Sequence, residues 1–168
     1  MTRKDDAFRI LIVDDNREIR TILEEYLKEE AYVAEGAADG EEALRKHNGE
    51  AFDLIITDLN MPGMTGIELI KEIAKGESTT EFIIITGYAS LDSAIEAVKA
   101  GAFDYIVKPF RIEELKVVIK NAKDKIALKK ANKQLFEKLK SFYVEVSRYR
   151  NWLDDDQIGQ FSGKELEP

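Results

Sequence analysis

Polar side chains that could do chemistry stand directly after short apolar runs of this sequence. Asp14 and Asp15 follow Phe8–Val13, Asp58 follows Leu54–Thr57, Thr86 follows Phe82–Ile85, and Lys108 follows Phe103–Val107. Each has an ordinary reading when taken singly. An Asp before a helix caps its first N–H groups. Asp58 opens an acidic loop toward the Pro62-Gly63 turn, Thr86-Gly87 is a small-residue turn, and Lys108-Pro109 closes an extended segment. Brought together, they form three carboxylates, an ammonium and a hydroxyl. Carboxylates so close repel, and the lysine cancels only one of their charges. A hard divalent ion such as Mg²⁺, which takes carboxylate and water oxygens, neutralises the rest. Such a set is suited to phosphoryl transfer onto a carboxylate, where catalysis is positioning and charge neutralisation. Phosphorylating Asp58 would raise its charge to about −2 and add acceptor oxygens. Thr86 could move to donate to one of them. Tyr105, in the last apolar run, could swing into the vacated space, although ordinary packing also accounts for an aromatic ring there.

The elements that must position these residues are legible in the apolar pattern. Five short runs (Phe8–Val13, Tyr32–Glu35, Leu54–Thr57, Phe82–Ile85 and Phe103–Val107) read as strands. Three of them are nearly continuous in Ile, Leu and Val, as in a parallel sheet covered on both faces. Helical patterns separate them. Ile19, Ile22, Leu23, Tyr26 and Leu27 mark the first helix, and Ala43 and Leu44 a short second one ending at Asn48-Gly49. Ile67, Leu69, Ile70 and Ile73 mark a third closed by Gly76. Leu91, Ile95 and Val98 mark a fourth closed by Gly101, and Leu115, Val118, Ile119 and Ala122 a fifth. Strand and helix alternate five times. The predicted fold is α/β: a five-stranded parallel sheet in 2-1-3-4-5 order, a flavodoxin-like doubly wound (βα)5 unit, with a C-terminal helical extension. Sites in such folds lie beyond the carboxyl ends of the strands, at the switch between strands one and three. That is where Asp14, Asp15 and Asp58 belong.

Composition narrows the classes. The 168 residues carry a net charge of −8, with no cysteine and one histidine. Disulfide frameworks, thiol nucleophiles and Cys- or multi-His metal sites are excluded. Neither a signal peptide nor a membrane-length apolar run is present, so the expected compartment is the cytoplasm and no membrane partner is expected. Near the end of the fifth helix the character changes: Lys120–Lys140 holds eight lysines against Asp124 and Glu137. Leu128, Leu135, Phe142 and Tyr149 recur every seven residues, with Asn132, Leu139, Val146 and Leu153 between them. This heptad pattern suggests a coiled coil, with Asn132 at a seam position of the kind that fixes register. The alternatives are a helix packed on its own domain, a frayed extension and, for Ser141–Ser147, a strand-like alternation. The expected divisions are 7–125 for the α/β unit, 126–153 for the extension and 154–168 for a disordered tail. The lysine-rich face reads as solvated and carries no arginine, so direct nucleic-acid binding is not expected. His47 stands near the end of the second helix, where a histidine favours the helix C-terminus.

Phe8–Asn16 (FRILIVDDN), Ile55–Leu69 (IITDLNMPGMTGIEL), Ile83–Ala89 (IIITGYA) and Gly101–Phe110 (GAFDYIVKPF) together resemble the receiver domain of two-component response regulators over about residues 7–125. The last two blocks are most similar to receivers of the NtrC class. The resemblance implies that Asp58 is the phosphoacceptor. It implies that Asp14 and Asp15 bind Mg²⁺ with the backbone carbonyl of Asn60, that Thr86 and Tyr105 are a switch pair, and that Lys108 contacts the phosphoryl group, its bond to Pro109 often being cis. It further implies a sensor histidine kinase or phosphotransfer protein as donor. With the heptad pattern, a homodimer is expected through the C-terminal helix or the face of the fourth helix, fifth strand and fifth helix. NtrC-class activators continue into ATPase and DNA-binding domains, whereas only residues 126–168 follow here, without a G-x-x-x-x-G-K-[ST] motif. The expectation is a receiver-only regulator or the front of a longer activator, assisting its own phosphorylation and slow dephosphorylation without being a conventional enzyme. A phosphatase with an aspartate nucleophile is a rival, but it needs Asp-x-Asp where this chain has Asp58-Leu59-Asn60. A constitutive dimerisation scaffold with a vestigial site is the other.

Overall fold

The computed structural model describes residues 7–76 and 78–160. The elements alternate as expected: β1 (Arg9–Val13), α1 (Arg17–Glu29), β2 (Val33–Ala37), α2 (Gly40–Gly49), β3 (Leu54–Thr57), α3 (Gly66–Ala74), β4 (Glu81–Thr86), α4 (Leu91–Ala100), β5 (Asp104–Val107) and α5 (Ile112–Gln160). All strand pairs are parallel, in the order β2-β1-β3-β4-β5. Alternation along the strands explains the two-sided burial. Leu11, Val13, Ile55, Phe82 and Ile84 face one layer, which Ile67, Ile70 and Ile73 of α3 and Ala97 of α4 complete. Ile10, Ile12, Leu54, Ile56, Ile83 and Ile85 face the other, covered by Leu23 and Leu27 of α1 and by Leu115, Val118, Ile119 and Ala122 of α5. Fully burying each Leu, Ile, Val or Phe side chain among these contributes about 1.5–3 kcal/mol before chain entropy is counted.

Caps set the helix starts. Asn16 accepts from the N–H groups of Glu18 and Ile19 and begins α1, so the cap is Asn16 and neither Asp14 nor Asp15. Thr65 with Glu68, and Ser90 with Ser93, form reciprocal capping boxes on α3 and α4. Gly101 ends α4 in the left-handed region at φ 100°, which glycine adopts without strain.

Two apolar patterns face differently from what their periodicity suggests. Ile22 of α1 is 55% exposed, because the core contact is only as wide as Ile19, Leu23, Tyr26 and Leu27. On α4, Leu91, Ile95 and Val98 all face solvent, and the helix seats itself through Ala97. The small residues, rather than the large ones, allow its close approach to the sheet.

The chain divides into two compact units at Ala127/Leu128. In the second, α5 continues through Ser141–Ser147, so the strand-like alternation there is overridden by helix. It reaches Gln160, past the expected start of the irregular tail at 154; the rest of that expectation, 161–168, lies outside the described residues. No glycine or proline interrupts positions 112–158, and nothing in the backbone chemistry stops the helix earlier. Leu128, Leu135, Leu139, Phe142, Val146 and Tyr149 are all exposed. Among the described residues no helix is long and apolar enough to cross a membrane.

Candidate functional site

Parallel pairing brings the ends of β1 and β3 level, with Val13 opposite Thr57. Asp14 and Asp58 are the next residues of each strand. Their backbones extend the ladder, Asp58 N–H donating to the Val13 carbonyl (2.8 Å) and Asp14 N–H to the Ala37 carbonyl (3.2 Å). The carboxylates of Asp14, Asp15 and Asp58 each place an oxygen within 4.8 Å of the others. Asp14 is buried and Asp15 exposed.

Lys108, just past β5, reaches this cluster from the side. Its Nζ donates to Asp14 Oδ2 at 2.8 Å and to Asp58 Oδ2 at 3.1 Å. Partial burial works to lower the lysine pKa, but the bonds to Asp14 and Asp58 and the charges behind them outweigh it, and the net shift is upward. Lys108 is thus held firmly as a cation. The second oxygens are occupied too: Asp14 Oδ1 accepts the Asn16 N–H (2.8 Å), and Asp58 Oδ1 the Asn60 N–H (3.3 Å). The Lys108-Pro109 peptide is cis.

Thr86 is fully buried at the end of β4, and its Oγ1 accepts the Tyr88 N–H (3.2 Å). Lys108 N–H donates to the Thr86 carbonyl at 2.9 Å, tying the two strand ends together. Tyr105 lies apart from this group, packed against the α3/α4 side of the sheet, with its hydroxyl 2.8 Å from Ser93 Oγ on α4.

Several residues that shape the site escape a reading of motifs. Arg20 Nη1 donates to the Asp14 carbonyl at 2.6 Å and braces the acidic loop from α1. Gly66 opens α3 directly beneath Asp58: a Cβ there would lie 2.3 Å from the Asp58 carbonyl oxygen. A glycine in the first turn of a helix, where it costs stability, is the signal that could have found it. Ser93 shows nothing in the sequence beyond its capping role.

His47 is a correction. It is buried, and its Nδ1 accepts the Phe52 N–H at 3.3 Å. Burial pushes its pKa down. It works as a neutral acceptor joining α2 to the loop that precedes β3, and not as a cation at a helix end.

The donor set is all oxygen from carboxylates, which fits a hard divalent ion such as Mg²⁺ and no soft metal.

Comparison with known proteins adds independent findings. The model of the family described as response regulator receiver domain matches residues 10–120. Regulatory protein AtoC of Escherichia coli is 35% identical over 131 residues, 78% of this chain and 28% of that protein. Sporulation initiation phosphotransferase F of Bacillus subtilis is 38% identical over 112 residues, 67% of this chain and 90% of its own length. The crystal structure of response regulator TrrA from Thermotoga maritima, in complex with Mg²⁺–BeF, superposes with a TM-score of 0.62 at 40% identity, covering 68% of this chain and 97% of that one. The chain therefore spans about a quarter of AtoC and nearly all of the sporulation phosphotransferase.

Proposed function

This chain belongs to the response regulator receiver domain family, and from that premise we propose that it is a phosphorylation-dependent switch whose acceptor is Asp58. The observation that carries the reading is the bridge of Lys108 between Asp14 and Asp58, beside Asp15, at the carboxyl edge of the sheet. The donor is a phosphohistidine on a sensor histidine kinase or phosphotransfer protein. An Asp58 carboxylate oxygen attacks phosphorus, the N–P bond breaks as the O–P bond forms, and the imidazole leaves. Asp14, Asp15, Asp58 and the Asn60 carbonyl would hold Mg²⁺. When bound, the ion supplies the positive charge that offsets the incoming phosphoryl oxygens. Lys108 exchanges its contact with Asp58 Oδ2 for one with a phosphoryl oxygen and keeps Asp14. Thr86 gives up its acceptor role toward Tyr88 and donates to the phosphoryl group, and Tyr105 follows. The chain performs this chemistry on itself and has no separate substrate to turn over.

Residues 7–125 carry the switch, and 126–153 pair it with a second copy. Support for pairing is the exposed stripe of Leu128, Leu135, Leu139, Phe142, Val146 and Tyr149: an isolated helix gains little from propensity alone and needs a covered face. The exposed Leu91, Ile95 and Val98 of α4, with Val107 of β5, offer a second face whose position depends on Tyr105.

Intact mass measured with acetyl phosphate and Mg²⁺ tests the chemistry. We expect a gain of one phosphoryl group, dependent on Mg²⁺ and lost in Asp58→Asn. No gain from acetyl phosphate or from any phosphohistidine donor would leave a constitutive dimerisation scaffold as the better description.

A further inference from the structure

Ser93 is not among the residues that touch the phosphoryl chemistry, yet it holds the hydroxyl of Tyr105. We propose that Ser93 is a latch that keeps Tyr105, and with it the start of α4, in the unphosphorylated arrangement. The inference rests on the reading of Thr86 and Tyr105 as the moving pair.

The geometry is specific. Ser93 is the third residue of α4 and completes the Ser90 capping box, accepting the Ser90 N–H at 3.0 Å. Its hydroxyl also lies 3.0 Å from the Ser90 carbonyl, to which it can donate. The Ser90 hydroxyl also lies 3.0 Å from the Ser93 oxygen; with the Ser93 hydrogen directed to the Ser90 carbonyl and the Ser90 hydroxyl turned away, that oxygen takes the Tyr105 hydroxyl as donor at 2.8 Å. The bond crosses from β5 to the first turn of α4 and is partly buried. It therefore joins the ring that moves to the helix whose outer face carries Leu91, Ile95 and Val98.

The bond belongs to the resting state. In the same structure Lys108 is engaged with both Asp14 and Asp58, and Thr86 Oγ1 is turned to the Tyr88 N–H. If Tyr105 leaves its place when Thr86 shifts, the Ser93 bond must break. An interaction present in only one of two states biases the equilibrium toward that state, and by linkage it weakens whatever binds the other. Ser93 thus opposes phosphorylation without touching Asp58, and makes the α4 face respond to it.

The test measures affinity of the full chain for beryllofluoride with Mg²⁺ by calorimetry, alongside the steady-state phosphorylated fraction with acetyl phosphate. Ser93→Ala should tighten beryllofluoride binding about two- to tenfold, the range for loss of one hydrogen bond. Ser93→Thr, which keeps the hydroxyl, should restore the wild-type value. Ser90→Ala breaks the cap and removes a hydroxyl that competes with Tyr105 for Ser93 Oγ, but keeps the Tyr105 contact; it should lower stability without tightening binding. In the double variant Ser93→Ala/Tyr105→Phe, Ser93→Ala should have no further effect beyond that of Tyr105→Phe. Unchanged or weaker binding in Ser93→Ala, additive effects in the cycle, or an equal effect from Ser90→Ala would each overturn the latch. A wild-type chain that binds no beryllofluoride and takes no phosphoryl group would overturn the parent reading and the latch with it. Wild-type binding with an inert Ser93→Ala would overturn the latch alone.

Discussion

At the scale of single residues, the position most sensitive to a small change is Gly66. The approach of its Cα to the Asp58 carbonyl leaves no room for a methyl group. Gly66→Ala must push α3 and the Asp58 loop apart. We expect a loss of about 1–3 kcal/mol in denaturant unfolding, the usual cost of overpacking. Phosphorylation by acetyl phosphate should slow about 10–100-fold, because reacting groups tolerate little misplacement. Equal rates in the variant and the parent would show that the loop relaxes freely. His47 gives a pH-dependent outcome. Its folded pKa lies below the ordinary histidine value because burial disfavours the charged ring. The unfolded chain therefore takes up a proton first as pH falls. The contribution of His47 is complete above about 6.5 and is lost as pH drops below that value. Replacing it by Gln, which also offers an acceptor, should shrink the fall in urea midpoint between pH 7.5 and 5.5.

Among the elements, β3 shows how far a sequence pattern can be trusted. Leu54–Thr57 is found with both ends as expected, since four consecutive buried residues between polar neighbours admit no other register. β4 is longer than its apolar run because Glu81 and Thr86 join it at its two ends. Glu81 is only 2% exposed, with Lys125 of α5 donating to its Oε2 at 3.2 Å. A glutamate inside a strand reads as a boundary until the partner contributed by a helix 44 residues away is known. Removing that ammonium with Lys125→Met should cost about 1–3 kcal/mol, since a buried carboxylate loses one charged hydrogen-bond partner. Thermal or urea unfolding checks it. A neutral outcome would mean that other contacts of Glu81 suffice. The acids, the lysine and the strand order were legible because each is fixed by local chemistry and by parallel pairing. The outward face of α4, the brace from Arg20 and the Ser93 contact were not. They depend on which side of a helix meets the sheet, and periodicity alone leaves that open when alanines do the packing.

For the whole molecule, the division at Ala127/Leu128 separates a unit with a buried core from a helix with no buried side chain among its described residues. A chain ending at 127 should fold cooperatively and accept a phosphoryl group. The full chain should show helix content and a melting temperature that rise with concentration, as expected when folding is coupled to association. Phe142→Asp, placed in the exposed stripe, should abolish that dependence while leaving phosphorylation unchanged; light scattering on both proteins decides the matter.

The strand order has a further consequence, for the timing of backbone opening. β1, β3 and β4 have neighbours on both sides, whereas β5 closes the sheet with only its third residue buried. Amides of β1 and β3, which lead directly into the acids, should exchange hydrogen only when the whole unit unfolds. Those of β5, which carries Tyr105, should exchange through cheaper local openings. In the proposed switch, charge would be received beside strands paired on both sides and reported from an edge strand, where opening costs less.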